Sequence, residues 1–252
     1  TRLNAPICVD TLTNSKAICC GKLIRRNFGC EIIKKGFTLA EVLITLGIIG
    51  VVAAMTMPSL ISDYQKLKTA VKLSRFYSIM SQAVLRWQQE EGISPEDAFF
   101  PEDSIKNGLE LEKWYDNSIG KYIQTISKSS SVNSFSIAFN DGSGFNAYVG
   151  DINTLNIFFC IEYKYCNQKY AEGNFDGRHG FLFQIYRGQF YTSLHSQHDF
   201  TREQLLKSCK YGNTDNSDIS SKGRRHACTR LIQIDGWEIK DDYPWSQTIL
   251  EN

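Results

Sequence analysis

Residues 34–60 read KKGFTLAEVLITLGIIGVVAAMTMPSL. Two lysines and a glycine precede an apolar run of 21 residues, 37–57, which a single carboxylate, Glu41, interrupts. At 1.5 Å per residue such a run reaches about 30 Å as a helix, one hydrocarbon core of a bilayer. An ionised acid at the centre of a membrane helix costs about 2.5–3.5 kcal/mol on insertion scales, so an intramembrane charge is normally paired. A cut after Gly36 would supply the partner. It would free the α-amino group of Phe37, four residues before Glu41 and on the same helical face.

Working outward, the basic flank, Gly36, Phe37, Thr38, Leu39, Glu41, the apolar run and Pro58 fall in one register. This stretch resembles the N-terminus of type IV pilins and type II secretion pseudopilins. The resemblance implies cleavage after Gly36 by a prepilin peptidase, N-methylation of Phe37, and assembly into a helical filament through the helix that follows. Glu41 would pair with the Phe37 ammonium of its own chain or of a neighbouring subunit. Family members often carry Ile or Val before the glutamate, where this chain has Ala40. A secretory signal peptide cut near Ala54, an uncleaved signal anchor and a buried core helix are the competing readings. A glutamate inside the apolar stretch argues against the first.

Residues 1–36 hold seven Lys/Arg against Asp10 and Glu31, a balance of +5 that leaves −4 for the remainder of a chain whose net charge is +1. Positive charge before a span keeps that end in the cytoplasm, which predicts an inner-membrane precursor with its N-terminus inside and its head exported. A mildly acidic head gives no electrostatic support for nucleic-acid binding. Cys8, Cys19, Cys20 and Cys30 precede the cut, whereas Cys160, Cys166, Cys209 and Cys228 follow the span into an oxidising compartment. The last four allow three pairings. Nearness in sequence favours Cys160–Cys166 and Cys209–Cys228.

Beyond Pro58, which is expected to bend or locally melt the helix, the helical pattern resumes. Leu60, Tyr64, Leu67 and Val71 recur at helical spacing, and Leu73, Phe76, Met80, Ala83 and Trp87 continue after a two-residue shift. The pattern predicts an amphipathic helix facing a core and ending at Gly92 and Pro95. A short helix is expected around Trp114 and Tyr115, and a serine-rich connector over 127–134. Strands are expected over 134–140, 145–149, 156–164, 181–187, 189–194 and 228–234, with turns at Asp141-Gly142-Ser143-Gly144 and Arg187-Gly188. Residues 201–209 read as another short helix. The fold class is therefore α+β and pilin-like, a long N-terminal helix whose second half packs on an antiparallel sheet. The organisation reads as a cleaved basic leader (1–36), a transmembrane or filament-core helix (37–58), its amphipathic continuation (59–91) and a globular head (92–252). Residues 228–245, CTRLIQIDGWEIKDDYPW, also resemble the C-terminus of some large bacterial pilin-like proteins.

No catalytic motif stands out. His195 and His198 lie three apart in a polar region without a spaced third ligand, and read as a solvated pair. No cofactor is expected. Some members of the resembled family bind calcium in a C-terminal loop, and Asp215, Asp218, Asp241 and Asp242 are the oxygen-bearing candidates, in no recognisable calcium spacing. The expected role is a structural subunit, not an enzyme. The resemblance implies as partners the prepilin peptidase, an inner-membrane assembly platform with its ATPase, and sister subunits. A competence-pilus subunit and a pilin-anchored adhesin are the alternatives.

Overall fold

Leu73, Phe76, Met80, Ala83 and Trp87 turn one side of a helix into the core, and that side organises the protein. The computed structural model describes residues 38–94, 100–101, 107–166, 176–212 and 226–245. The chain divides into two units, Thr1–Val51 and Val52–Asn252. Helix α1 spans Leu39–Glu91. It stops at Gly92, which takes the left-handed φ of 64° that a side chain would resist, while the Ile93 N–H donates to the Gln88 carbonyl at 3.0 Å.

Of the bend or local melting expected at Pro58, melting does not occur: the helix runs through it. The lost backbone donor is flanked by hydroxyl bonds along the helix: Thr56 Oγ1 donates to the Val52 carbonyl at 3.0 Å and Ser59 Oγ to the Thr56 carbonyl at 2.9 Å. A second correction concerns the core face. Leu60, Tyr64, Leu67 and Val71 are 58–70% exposed, whereas Leu73 and Met80 are wholly buried. The two-residue step from Val71 to Leu73 rotates the pattern by about 200° at 100° per residue, so the two stripes lie on nearly opposite sides. Only the second faces the sheet.

The sheet is a six-stranded antiparallel meander in chain order: β1 (Ser127–Ser130), β2 (Phe135–Ala138), β3 (Gly144–Asp151), β4 (Thr154–Cys160), β5 (Gly180–Tyr186) and β6 (Gln189–Tyr191). Period-two alternation gives it two faces. Phe135, Ile137, Phe145, Ile157, Phe159, Phe181, Phe183 and Ile185 form the apolar face, with register partners Ile137↔Phe145, Phe145↔Phe159 and Phe159↔Phe181. Phe76 of α1 meets this face, its ring stacked on Phe159 at 4.3 Å and edge-on to Phe183 at 4.9 Å. Polar clips fasten the same helix. Lys72 Nζ donates to the carbonyls of Asp141 and Ile161, each at 2.9 Å, and the buried Gln88 Nε2 to that of Gly188 at 2.7 Å.

The opposite face is more polar. Asn146 Nδ2 donates to Ser136 Oγ at 2.9 Å and Gln184 Nε2 to Asn156 Oδ1 at 2.9 Å. Phe158, Leu182 and the Cys160–Cys166 disulfide make a small second core there. The β2–β3 turn is held by Asp141, whose Oδ1 accepts the Ser143 N–H at 3.0 Å. Arg187 and Gly188 both take positive φ (45° and 67°), the twist a two-residue hairpin needs.

Helices α2 (Gly108–Asn117), α3 (Arg202–Tyr211) and α4 (Cys228–Ile234) complete the described residues, with one-turn 3₁₀ helices at Ile119–Tyr122, Tyr163–Tyr165 and His195–Gln197. Asn107 caps α2, and a Thr201/Gln204 capping box starts α3. Helix α4 replaces the strand expected over 228–234. Cys228, Leu231 and Ile232 are buried at helical spacing, and Cys228 is joined to Cys209 of α3. Part of the expected serine-rich connector is strand β1, all four side chains of which are exposed. Its main chain pairs with β2, and Lys128 Nζ reaches Asp116 of α2 at 2.5 Å. Strand β4 ends at Cys160 rather than reaching residue 164, because the disulfide to Cys166 folds the next residues into a one-turn 3₁₀ helix.

Asp176 sets the entry to β5. Its Oδ1 accepts the backbone N–H groups of Arg178, His179 and Gly180 at 2.9, 2.7 and 3.0 Å, and Oδ2 lies 2.7 Å from His179 Nδ1. Burial pushes this carboxyl up, but the hydrogen bonds outweigh it and hold it below the usual carboxylate range. A depressed carboxyl stabilises the fold above its unfolded value, about pH 3.9, and that contribution disappears as pH falls through the folded value. Asp176→Asn is therefore expected to cost about 1–3 kcal/mol at neutral pH and to flatten the loss of stability below about pH 4, read from urea unfolding across a pH series in detergent. In the same assay Phe76→Ala should cost about 3–5 kcal/mol, the range for emptying an aromatic site in a packed core.

Candidate functional site

The start of α1 is built by two residues. Glu41 Oε2 accepts the Thr38 backbone N–H at 2.8 Å and the Thr38 hydroxyl at 2.9 Å, while the Glu41 N–H donates to Thr38 Oγ1 at 3.2 Å. This is a reciprocal capping box. Two backbone donors that a helix start leaves unpaired are satisfied, and the acid sits in the first turn, where the helix dipole favours negative charge. The Ser/Thr-x-x-Glu spacing behind it stands in the sequence as TLAE, a signal separate from the charge partner expected at Phe37. Gly36 and Phe37 lie outside the described residues.

Beyond the cap the helix is apolar all round. Leu43, Ile44, Leu46, Ile48, Ile49 and Val51 are each 57–63% exposed. Gly47 and Gly50 have open space where a Cβ would stand. By length and composition α1 is able to cross a membrane, and nothing in its most apolar window is buried within the chain. A contiguous apolar surface of that kind suits lipid, other apolar helices or another protein surface. Absent side chains at Gly47 and Gly50 permit close backbone approach.

The remaining sequence candidates lie elsewhere. Pro58 sits within α1, and the cysteines are joined as Cys160–Cys166 and Cys209–Cys228, with Cα separations of 5.7 and 4.7 Å. The first bond closes a short loop against the polar face of the sheet, and the second ties α3 to α4. His195 stacks on Tyr186 at 3.7 Å, and His198 meets Tyr191 edge-on at 5.2 Å, so each ring has its own aromatic neighbour. Of the four acids considered for calcium, Asp215 and Asp218 lie outside the described residues. Asp242 is bound to Arg202 Nη1 at 2.8 Å, and Asp241 lies 3.9 Å from Lys66 Nζ. Among the described residues no three His, Cys, Asp or Glu side chains converge as a metal site would require.

Comparison with known families gives two matches. The prokaryotic N-terminal methylation motif matches residues 33–57, the stretch that holds the cap, Glu41 and the apolar run. No curated protein and no solved structure matches the chain. The second match, to a family of unknown function (DUF6613), takes in residues 59–246, and so the chain belongs to that family, with a prepilin-type signal ahead of the matched region.

Proposed function

We propose that this chain is a prepilin-like structural subunit of a type IV pilus or a type II secretion pseudopilus. The prepilin peptidase cuts after Gly36, Phe37 is methylated, and the mature chain is drawn into a polymer through α1. The observation that carries this reading is the N-terminal methylation motif on a helix whose most apolar stretch is unburied and holds a single acid, Glu41, in the first turn. Residues 1–36 serve as the leader, 37–58 as the span and filament-core segment, 59–91 as its continuation and 92–252 as the exported head. The basic flank stays in the cytoplasm. The assembly platform with its ATPase and the sister subunits are the partners.

The cap refines the role of Glu41. Both contacts with Thr38 fall on Oε2, and both survive cleavage, because Thr38 keeps its amide. Oε1 is the atom offered to an ammonium at Phe37. Apolar helices associate in lipid without strong preference for register. A carboxylate seeking an ammonium supplies one, since an unpaired charge there is costly.

Two measurements test this. Mass spectrometry of the mature protein is expected to find methylated Phe37 as its first residue; an intact leader, or a start near Ala54, would sink the reading. Glu41→Val should leave cleavage intact and cut recovery in the polymer at least tenfold. Glu41→Gln retains a capping side chain but lacks the charge. It should fail like Glu41→Val if the ion pair governs assembly, and wild-type recovery would mean that the cap alone matters.

A further inference from the structure

The head carries two grooves against α1 that differ in charge. The larger, of about 540 Å³, lies between α1, the 3₁₀ turn at Ile119–Tyr122 and the β2–β3 turn. Its floor is Phe76, Ile79, Phe139 and Phe159, and Lys72 and Arg75 line it. Lys68 stands one turn before Lys72 on the same flank and is exposed, as is Arg75. Lys72 is committed to two carbonyls. Neither Lys68 nor Arg75 has a hydrogen bond or ion pair among the described residues. The acids near them make their hydrogen bonds elsewhere, Asp141 with Ser143 and Glu162 with Lys164 at 2.6 Å, and feel Arg75 and Lys68 only through space.

The smaller groove, of about 230 Å³, lies between α1 and the segment after α4. Leu67, Ala70, Trp237 and Ile239 give it an apolar lining. Asp63, Glu238 and Asp241 set three carboxylates against one lysine, Lys66. Glu238 is exposed and has no ion pair among the described residues.

The two grooves are on opposite flanks of one helix. Nine residues separate Asp63 from Lys72, which is two and a half turns at 3.6 residues per turn, or about half a rotation. Each groove carries an excess of one sign, Lys72 and Arg75 against Asp141 on one flank and Asp63, Glu238 and Asp241 against Lys66 on the other, an imbalance left over within a single chain. A second copy laid alongside in the same direction can satisfy it. Patches that are complementary but different make a heterologous contact, which repeats from copy to copy and gives an open helical array when its rotation does not close into a ring.

We propose that the Glu238–Asp241 segment of one copy seats in the Lys68–Arg75 groove of the next, as the lateral contact between heads. The inference rests on the filament reading and adds the contact surface and the stagger. Bringing the acidic groove of one copy level with the basic groove of its neighbour shifts parallel helices by about nine residues, about 13 Å at 1.5 Å per residue. The charges at the rims select partner and register, while the apolar floors supply area.

The test uses the full chain in cells that process and polymerise it, with the polymer fraction probed for the chain. Lys68→Glu with Arg75→Glu, and separately Glu238→Lys with Asp241→Lys, should each lower recovery in the polymer at least tenfold. Both variants should still mature at Phe37 and form both disulfides on a non-reducing gel. All four changes in one chain should restore recovery. Wild-type recovery of either pair, or no restoration by the combination, overturns the charge contact and leaves the filament reading standing. A wild-type chain that is never found in a polymer overturns both. As a measurement independent of charge reversal, co-expressed Arg75→Cys and Glu238→Cys copies should form a disulfide-linked species of twice the subunit mass. A link to some other protein alone overturns the second-copy contact.

Discussion

One helix with two apolar sides is the constraint from which the rest of this molecule follows. Between Val71 and Leu73 the apolar pattern slips by two residues, so its stripe crosses to nearly the opposite face. On the buried face, Phe76 gathers rings from β3, β4 and β5, and the sheet order β1 to β6 with its alternating side chains is what delivers them. On the other face, Leu60, Tyr64, Leu67 and Val71 are left to the surroundings. Burying a large apolar side chain is worth about 1.5–3 kcal/mol. A row of four left uncovered is therefore a strong drive towards association, and it begins just beyond Pro58 in the same helix that carries the methylation motif.

Apolar surface alone leaves the geometry of association loose, because helices slide past one another at little cost. Polar groups fix position. Lys72 and Gln88, donating to loop carbonyls, fasten α1 to the sheet at points about four turns apart. Glu41 and Thr38 define where the helix starts, two residues after the proposed new chain end. The same division of labour recurs at the grooves, where Arg75 and Glu238, neither of them in an ion pair among the described residues, stand at the edges of apolar floors.

Much of this fold was legible in residues whose local signals agree. The apolar span, the Gly92 stop, the Asp141 turn and the Arg187-Gly188 hairpin each combine a periodic pattern with a matching turn residue. The misreadings have physical causes. Strand β1 is defined by main-chain pairing, so Ser127–Ser130 carries no side-chain signature. Helix α4 is seven residues long, and so short an apolar run reads equally well as a strand until Cys228 is seen bonded to α3. Periodicity finds both stripes of α1, but which stripe is covered depends on where a distant sheet lies. The cap was available from the spacing of Thr38 and Glu41. The grooves were not, because residues 63–75 and 237–241 meet only through tertiary structure.

The capping box also bears on why the acid stands at position 41 rather than deeper in the span. A carboxylate in the first turn of a helix is held by backbone and hydroxyl donors before any ammonium arrives, so its desolvation is partly offset in the isolated subunit. Placed two turns later it would face satisfied backbone groups and have nothing to accept from, since helix interiors use their own donors. At position 41 both hydrogen bonds fall on Oε2, and Oε1 accepts none among the described residues. In the proposed polymer the ion pair would be added to an existing hydrogen-bonded site, so the preference for assembly would come from charge neutralisation rather than from rescue of a bare buried ion.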